Sequence, residues 1–112
     1  MAKRDDELRK RRDALLRELT DLGFVLQGTI SERMLPCGKV ACRCTTDPSA
    51  RHGPYLQWTV KRRGKTVGTY LSPEQAVICR EWIGNNRRLE AIVRKLRALS
   101  MRAARRQKIP TI

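Results

Sequence analysis

Three cysteines and the only histidine of this chain fall within sixteen residues, in the pattern Cys37-x4-Cys42-x-Cys44-x7-His52. No other feature restricts the fold as much. The stretch from Cys37 to Tyr55 is also the densest in turn-forming residues, and Gly38 and Pro48-Ser49-Ala50 let it turn back on itself. Such a loop gains little from a hydrophobic core, but thiolate and imidazole donors gathered on one Zn2+ ion would supply folding energy directly. The spacing differs from the common Cys-x2-Cys pair, and Cys42 and Cys44 would meet one ion in a tight geometry. Cys79, on a later helix, competes with His52 for the fourth position. Two other readings of the same residues are open. The cysteines can be reduced, partly buried small hydrophobes, with His52 hydrogen-bonded at a strand start. Alternatively Lys39 and Arg43 can lower neighbouring thiol pKa values for redox chemistry, although no Cys-x-x-Cys pair is present.

The compartment bears on that choice. The N-terminus, Met-Ala-Lys-Arg-Asp-Asp, is charged, and no apolar run approaches the roughly 18 residues a membrane span needs. A cytoplasmic protein without membrane association is expected. In a reducing compartment a tight cysteine cluster points to metal or thiol chemistry rather than disulfides.

On either side of the knuckle the patterns are regular. Residues 5–22 read as an amphipathic helix with Leu8, Leu15, Leu19 and Leu22 on one face, stopped by Gly23. Phe24 to Met34 reads as a strand with a bulge or bend at Gly28. Tyr55 to Lys61 and Lys65 to Leu71 alternate and form a hairpin about Arg62-Arg63-Gly64. Ser72-Pro73-Glu74-Gln75 is a capping box with proline at the first helical position. From there a helix over 73–106 carries Ile78, Trp82, Asn85, Leu89, Ile92, Leu96 and Leu99 at 4-3 spacing, a coiled-coil-like seam. Asn85 would set register within that seam, or Gly84-Asn85-Asn86 would hinge two helices. An unbroken helix of this length spans about 50 Å, more than a small core covers, so it would pack on the first helix, on a second copy or on a partner. Lys108 to Ile112 reads as a frayed tail. The predicted fold class is α+β in one domain, 1–112: helix 5–22, a three-stranded antiparallel sheet with a Cys-rich knuckle over 24–71, and a long basic helix over 73–106.

Charge identifies the class of partner. Lys and Arg number 25 against 11 Asp and Glu, a net charge of +14, and the pI is near 10.8. The excess is local. Residues 1–22 are nearly balanced at +1, residues 23–72 carry +6, and residues 83–112 carry +8 with Glu90 the sole acid. Part of the last run suits a helix C-terminus. The remainder repels itself unless an anion is near, and phosphate contacts of DNA or RNA answer that. The candidate contacts are Lys39, Arg43 and Arg51 on the knuckle, Lys61, Arg62, Arg63 and Lys65 at the hairpin, and Arg87, Arg88, Arg94, Arg102, Arg105 and Arg106 on the helix. Tyr55 and Trp58 are an odd number of residues apart on one strand and face opposite sides. A base-stacking platform on one face competes with core packing for the few aromatics. No carboxylate pair, phosphate loop or Ser/His/Asp grouping suggests catalysis, and the chain is expected not to be an enzyme.

Cys37-Gly38-Lys39-x-x-Cys42-x-Cys44 followed by His52-Gly53-Pro54-Tyr55, two strands with a basic turn and a helix with an aromatic at Trp82, resembles a family of uncharacterised bacterial and archaeal domains often encoded near mobile elements. The resemblance covers about residues 24–99. It implies that the knuckle and His-Gly-Pro-Tyr are the shared feature and tilts the fourth ligand toward His52. The expected function is a zinc-stabilised nucleic-acid-binding accessory protein that works as a homodimer or with a larger protein partner, in a mobile-element setting. The alternative is a non-enzymatic interaction module whose long helix docks on a larger protein or nucleoprotein complex.

Overall fold

The computed structural model describes residues 3–107, so the tail expected at Lys108 to Ile112 lies outside the described residues. Helix α1 (Lys3–Thr20) is followed by strands β1 (Thr29–Leu35), β2 (His52–Arg62) and β3 (Lys65–Leu71), and then by helix α2 (Pro73–Arg106). The strands form one antiparallel sheet in the order β1-β2-β3, with the cysteine loop joining β1 to β2. The α+β reading and its element order therefore hold. Among the described residues, no helix is long and apolar enough to cross a membrane.

The chain divides into two compact units. One comprises residues 26–83: the sheet, the knuckle and the start of α2. Because successive strand residues point to opposite faces, the register sorts this sheet into two unlike sides. Ile30 pairs with Trp58, Leu56 with Leu71 and Val60 with Val67, giving one largely apolar face that also carries Glu32 and Thr69. Arg33 pairs with Tyr55, Gln57 with both Ser31 and Tyr70, and Lys61 with Thr66, giving one polar and aromatic face. Tyr55 and Trp58 do lie on opposite sides. Trp58 Nε1 donates to the Gln27 carbonyl at 2.9 Å. The buried apolar residues of this unit are Cys44, Ala76 and Ile83, a small core for its length.

The first strand begins at Thr29, not at Phe24, and the reason is visible in the backbone hydrogen bonds. The apolar run Phe24-Val25-Leu26 has strand-like composition, but its polar groups are taken by α2: Leu26 N–H donates to the Trp82 carbonyl at 3.0 Å, and the Asn85 amide donates to the Phe24 carbonyl at 2.9 Å. Gly28 is the bend before the strand rather than a bulge within it. Its φ is +116°, and a Cβ there would lie 2.4 Å from Trp58 Nε1.

The capping box forms as expected. Gln75 N–H donates to Ser72 Oγ at 3.1 Å, and Ser72 N–H donates to Gln75 Oε1 at 2.8 Å. The helix it starts runs unbroken through Gly84-Asn85-Asn86, so the hinge alternative is set aside. The seam is not a strict 4-3 repeat in its burial. Ile78 is 47% exposed, whereas Ala76 and Ile83, outside the repeat, are buried. A straight helix drifts about 20° per heptad against a 3.5-residue pattern, so a fixed 4-3 series cannot stay on one face for its whole length. Within the chain, Asn85 clamps the α1–β1 connection through its bond to the Phe24 carbonyl.

The other unit comprises residues 1–25 and 84–112. Helix α1 ends two residues earlier than Gly23 suggests, where the Thr20 hydroxyl donates to the Arg17 carbonyl at 2.8 Å. Leu8 and Ile92 are buried here, while Leu15, Leu19, Leu89, Leu96 and Leu99 are only half-buried. A partly buried ion pair, Arg106 Nη1 to Asp5 Oδ1 at 3.6 Å, joins the two helices.

Candidate metal centre

Strand pairing brings the distant parts of the Cys/His pattern together. Leu35 at the end of β1 pairs with His52 at the start of β2. Cys37, two residues past Leu35, is thereby held beside His52. Between them the loop closes through a series of tight turns. Gly38 has φ +85°, Cys42 N–H donates to the Lys39 carbonyl at 3.0 Å, and a 3-10 turn at Arg43–Thr45 presents Cys44. The Thr45 hydroxyl also donates to the Lys39 carbonyl, at 3.0 Å.

The second half of the loop is fixed by Asp47. Its Oδ1 accepts from Ser49 N–H at 3.0 Å and from Ser49 Oγ at 2.7 Å, capping a second 3-10 turn at Pro48–Ala50. Arg43 Nη2 lies 3.3 Å from Asp47 Oδ2. The Ser49 hydroxyl, then its N–H, and then Arg43 hold the Asp47 carboxyl below its ordinary range. Sequence reasoning noticed Pro48-Ser49-Ala50 as a turn but passed over Asp47. An aspartate directly before Pro-Ser is the signal of an Asx cap on a turn.

The result is a four-donor group. The Sγ atoms of Cys37, Cys42 and Cys44 and a ring nitrogen of His52 all lie within 4.8 Å of one another. Cys37 Sγ and Cys44 Sγ are 3.5 Å apart, and Cys42 Sγ and His52 Nε2 are 3.3 Å apart. Tetrahedral coordination with metal–sulfur bonds of about 2.3 Å separates donors by about 3.7 Å, so one ion fits this set. All four cysteines are free thiols. Cys44 is only 2% exposed and Cys42 half-buried, while Cys37 and His52 are open to solvent. Cys79 is half-buried on α2 and is not part of the group.

Without an ion, the thiols are electrostatically unequal. The Cys42 thiol is held below its ordinary value, chiefly by the Cys44 backbone N–H and next by the thiols of Cys44 and Cys37. Cys44 is held above it. The Cys37 N–H, 3.3 Å from Cys44 Sγ, favours its thiolate, but burial and the neighbouring Cys42 and Cys37 outweigh that bond. A divalent ion reverses the balance, because it stabilises every thiolate it touches.

The candidate basic contacts fall in three places. Lys39, Arg43 and Arg51 stand exposed on the knuckle, with Arg43 also tied to Asp47. Lys61, Arg62, Arg63 and Lys65 are exposed around a two-residue turn in which Arg63 and Gly64 have φ of +51° and +77°. Arg87, Arg88, Arg94, Arg102 and Arg105 are exposed on α2, whereas Arg106 is half-buried against Asp5.

The chain belongs to a family of domains of unknown function (DUF6788), whose model matches residues 5–81. No curated protein and no solved structure matches it. The match starts in α1 rather than near residue 24. It contains the four donors and the hairpin cations, and it ends before Arg87 and the basic part of α2.

Proposed function

We propose that this protein binds nucleic acid mainly through phosphate contacts, and that a zinc ion on Cys37, Cys42, Cys44 and His52 staples the sheet that carries part of the surface. The observation behind this reading is cationic charge without internal partners. Among the described residues, ion pairs engage Arg11, Arg12, Arg43, Arg80 and Arg106, and none engages Lys61, Arg62, Arg63, Lys65, Arg87, Arg88, Arg94 or Arg102. A surface of this kind is relieved by a polyanion. Zinc is favoured over harder ions by three thiolates and an imidazole, and the small core around Cys44 gives the ion a structural task. The accessory role beside a mobile element rests on the motif resemblance.

Titrating salt against binding to random-sequence DNA and RNA tests this reading. Affinity should fall steeply as salt rises, with a slope that reports the number of phosphates contacted. No binding at low salt would sink it. Metal analysis of protein purified without chelator tests the zinc, and the expected value is about one equivalent per chain.

One observation favours the interaction-module alternative. A groove of about 420 Å³ between α1 and α2 is walled by Ala14, Leu15, Ala98 and Leu99 among charged residues. A second copy or a larger protein seated there would cover the half-buried leucines. Salt-insensitive binding to a protein partner, or concentration-dependent mass in sedimentation, supports that reading.

A further inference from the structure

The polar face of the sheet carries two aromatic rings that core packing does not explain. Tyr55 and Tyr70 are 41% and 57% exposed. Their centroids are 6.1 Å apart with the planes inclined at 66°, an edge-to-face pair. The apolar pairs Ile30–Trp58, Leu56–Leu71 and Val60–Val67 lie on the other side of the sheet.

Beside them, opposite Tyr70, lies an oriented amide. Arg33 Nη1 donates to Gln57 Oε1 at 3.3 Å. Gly68, opposite the next residue on that face, leaves the space that the amide occupies: a Cβ at Gly68 would be 2.5 Å from Gln57 Nε2. With its oxygen engaged by Arg33, the Gln57 side chain keeps its N–H donors on the open face. Lys61 stands on the same face toward the hairpin, so cations flank the rings at both ends. Exposed rings, a donor and flanking cations on one surface match what an unpaired nucleotide offers: a π-face, acceptors on the base edge and a phosphate. A duplex hides its base faces, whereas a single strand presents them.

We infer that this face binds single-stranded nucleic acid, stacking unpaired bases on Tyr55 and Tyr70 while Gln57 Nε2 donates to a base edge and Arg33 and Lys61 take the backbone. This inference rests on the nucleic-acid reading above and specifies the strand state that reading leaves open.

Fluorescence anisotropy of the zinc-loaded full chain with short labelled oligo(dT), oligo(U) and a duplex of equal length tests it. The wild type should bind the single strands more tightly than the duplex, and the preferred homopolymer assigns DNA or RNA. Tyr55→Ala and Tyr70→Ala should each weaken single-strand binding about tenfold without changing duplex affinity or the salt slope. Tyr70→Phe, which keeps the ring, should retain wild-type affinity. The platform is overturned if the double alanine variant, melting as the wild type does, binds single strands unchanged, or if duplex affinity falls in parallel. Absence of wild-type binding to all three probes at low salt would instead overturn the nucleic-acid reading itself.

Discussion

Residues 26–83 bring four donors that could hold one metal ion within 4.8 Å of one another, whereas residues 84–107 distribute cations along a helix with no comparable cluster among the described residues. The first region is specified by geometry. Its donors come from the end of one strand, two tight turns and the start of another strand, and a displacement of an ångström or two would separate them. The second is specified by charge alone, and a phosphate can meet an arginine at many places along α2. A compact chemical centre thus resides in the part matched by the family model, while the most basic stretch lies beyond it.

The sharpest way to break this contrast is to remove the ion. Chelation, or Cys44→Ala, should release the metal and lower the sheet's melting temperature by about 20 °C or more, because losing a structural ion costs several kcal/mol. The helical circular dichroism of α1 and the later part of α2 should persist. Cys79→Ser should leave metal content at the wild-type value. If Cys44→Ala melts as the wild type does, the cluster is not a structural centre.

Next in size is the hairpin. Replacing Lys61, Arg62, Arg63 and Lys65 together by Gln should reduce the slope of log affinity against log salt by about 3.6 if each cation meets a phosphate on a duplex. An unchanged slope would assign the phosphate contacts to α2. A smaller effect is expected at Asn85. Asn85→Ala removes the donor to the Phe24 carbonyl and should destabilise by about 1 kcal/mol in denaturant unfolding, with no change in oligomeric state. A change in mass instead would restore Asn85 to a register role.

The smallest effect concerns Asp47. Its carboxyl is held below the usual 3.8, so the bonds it makes stabilise the fold at neutral pH, and that contribution is lost as pH falls through the lowered value. Asp47→Asn should therefore flatten the acid arm of the stability curve below about pH 4 and leave its neutral plateau nearly flat. Metal content must be followed in the same titration, since acid also protonates the thiolates.

What could be read from the sequence followed from short-range rules. Ser72 and Gln75 satisfy one another's backbone within a single turn, so the start of α2 was visible without tertiary information. The alternation on β2 likewise placed Tyr55 and Trp58 on opposite sides. The misreadings occur where a distant partner decides. Phe24 to Leu26 has the composition of a strand, yet the α2 residues that claim its hydrogen bonds are some sixty positions away. The 4-3 spacing of α2 reflects how a helix can be covered, not what covers it, which is why Ile78 is exposed while Ala76 is buried. The cluster was legible as a set of donors; spacing left His52 and Cys79 in competition, the motif resemblance tilted toward His52, and the pairing of Leu35 with His52, which spacing does not encode, supplies the physical reason.

Gly53 joins the two centres of interest, because it lies on β2 between the metal donor His52 and the aromatic Tyr55. A Cβ at this position would come within 2.7 Å of the Arg33 carbonyl and 3.0 Å of Tyr55 N. Sliding the strand by one residue would place His52 or Pro54 in that gap, and neither fits. The same slip would turn Trp58 onto the open face and Tyr55 away from it. Gly53 is thus an index notch: it permits one alignment of β2 against β1, and in that alignment His52 reaches the three thiols while, three residues on, a tyrosine faces solvent.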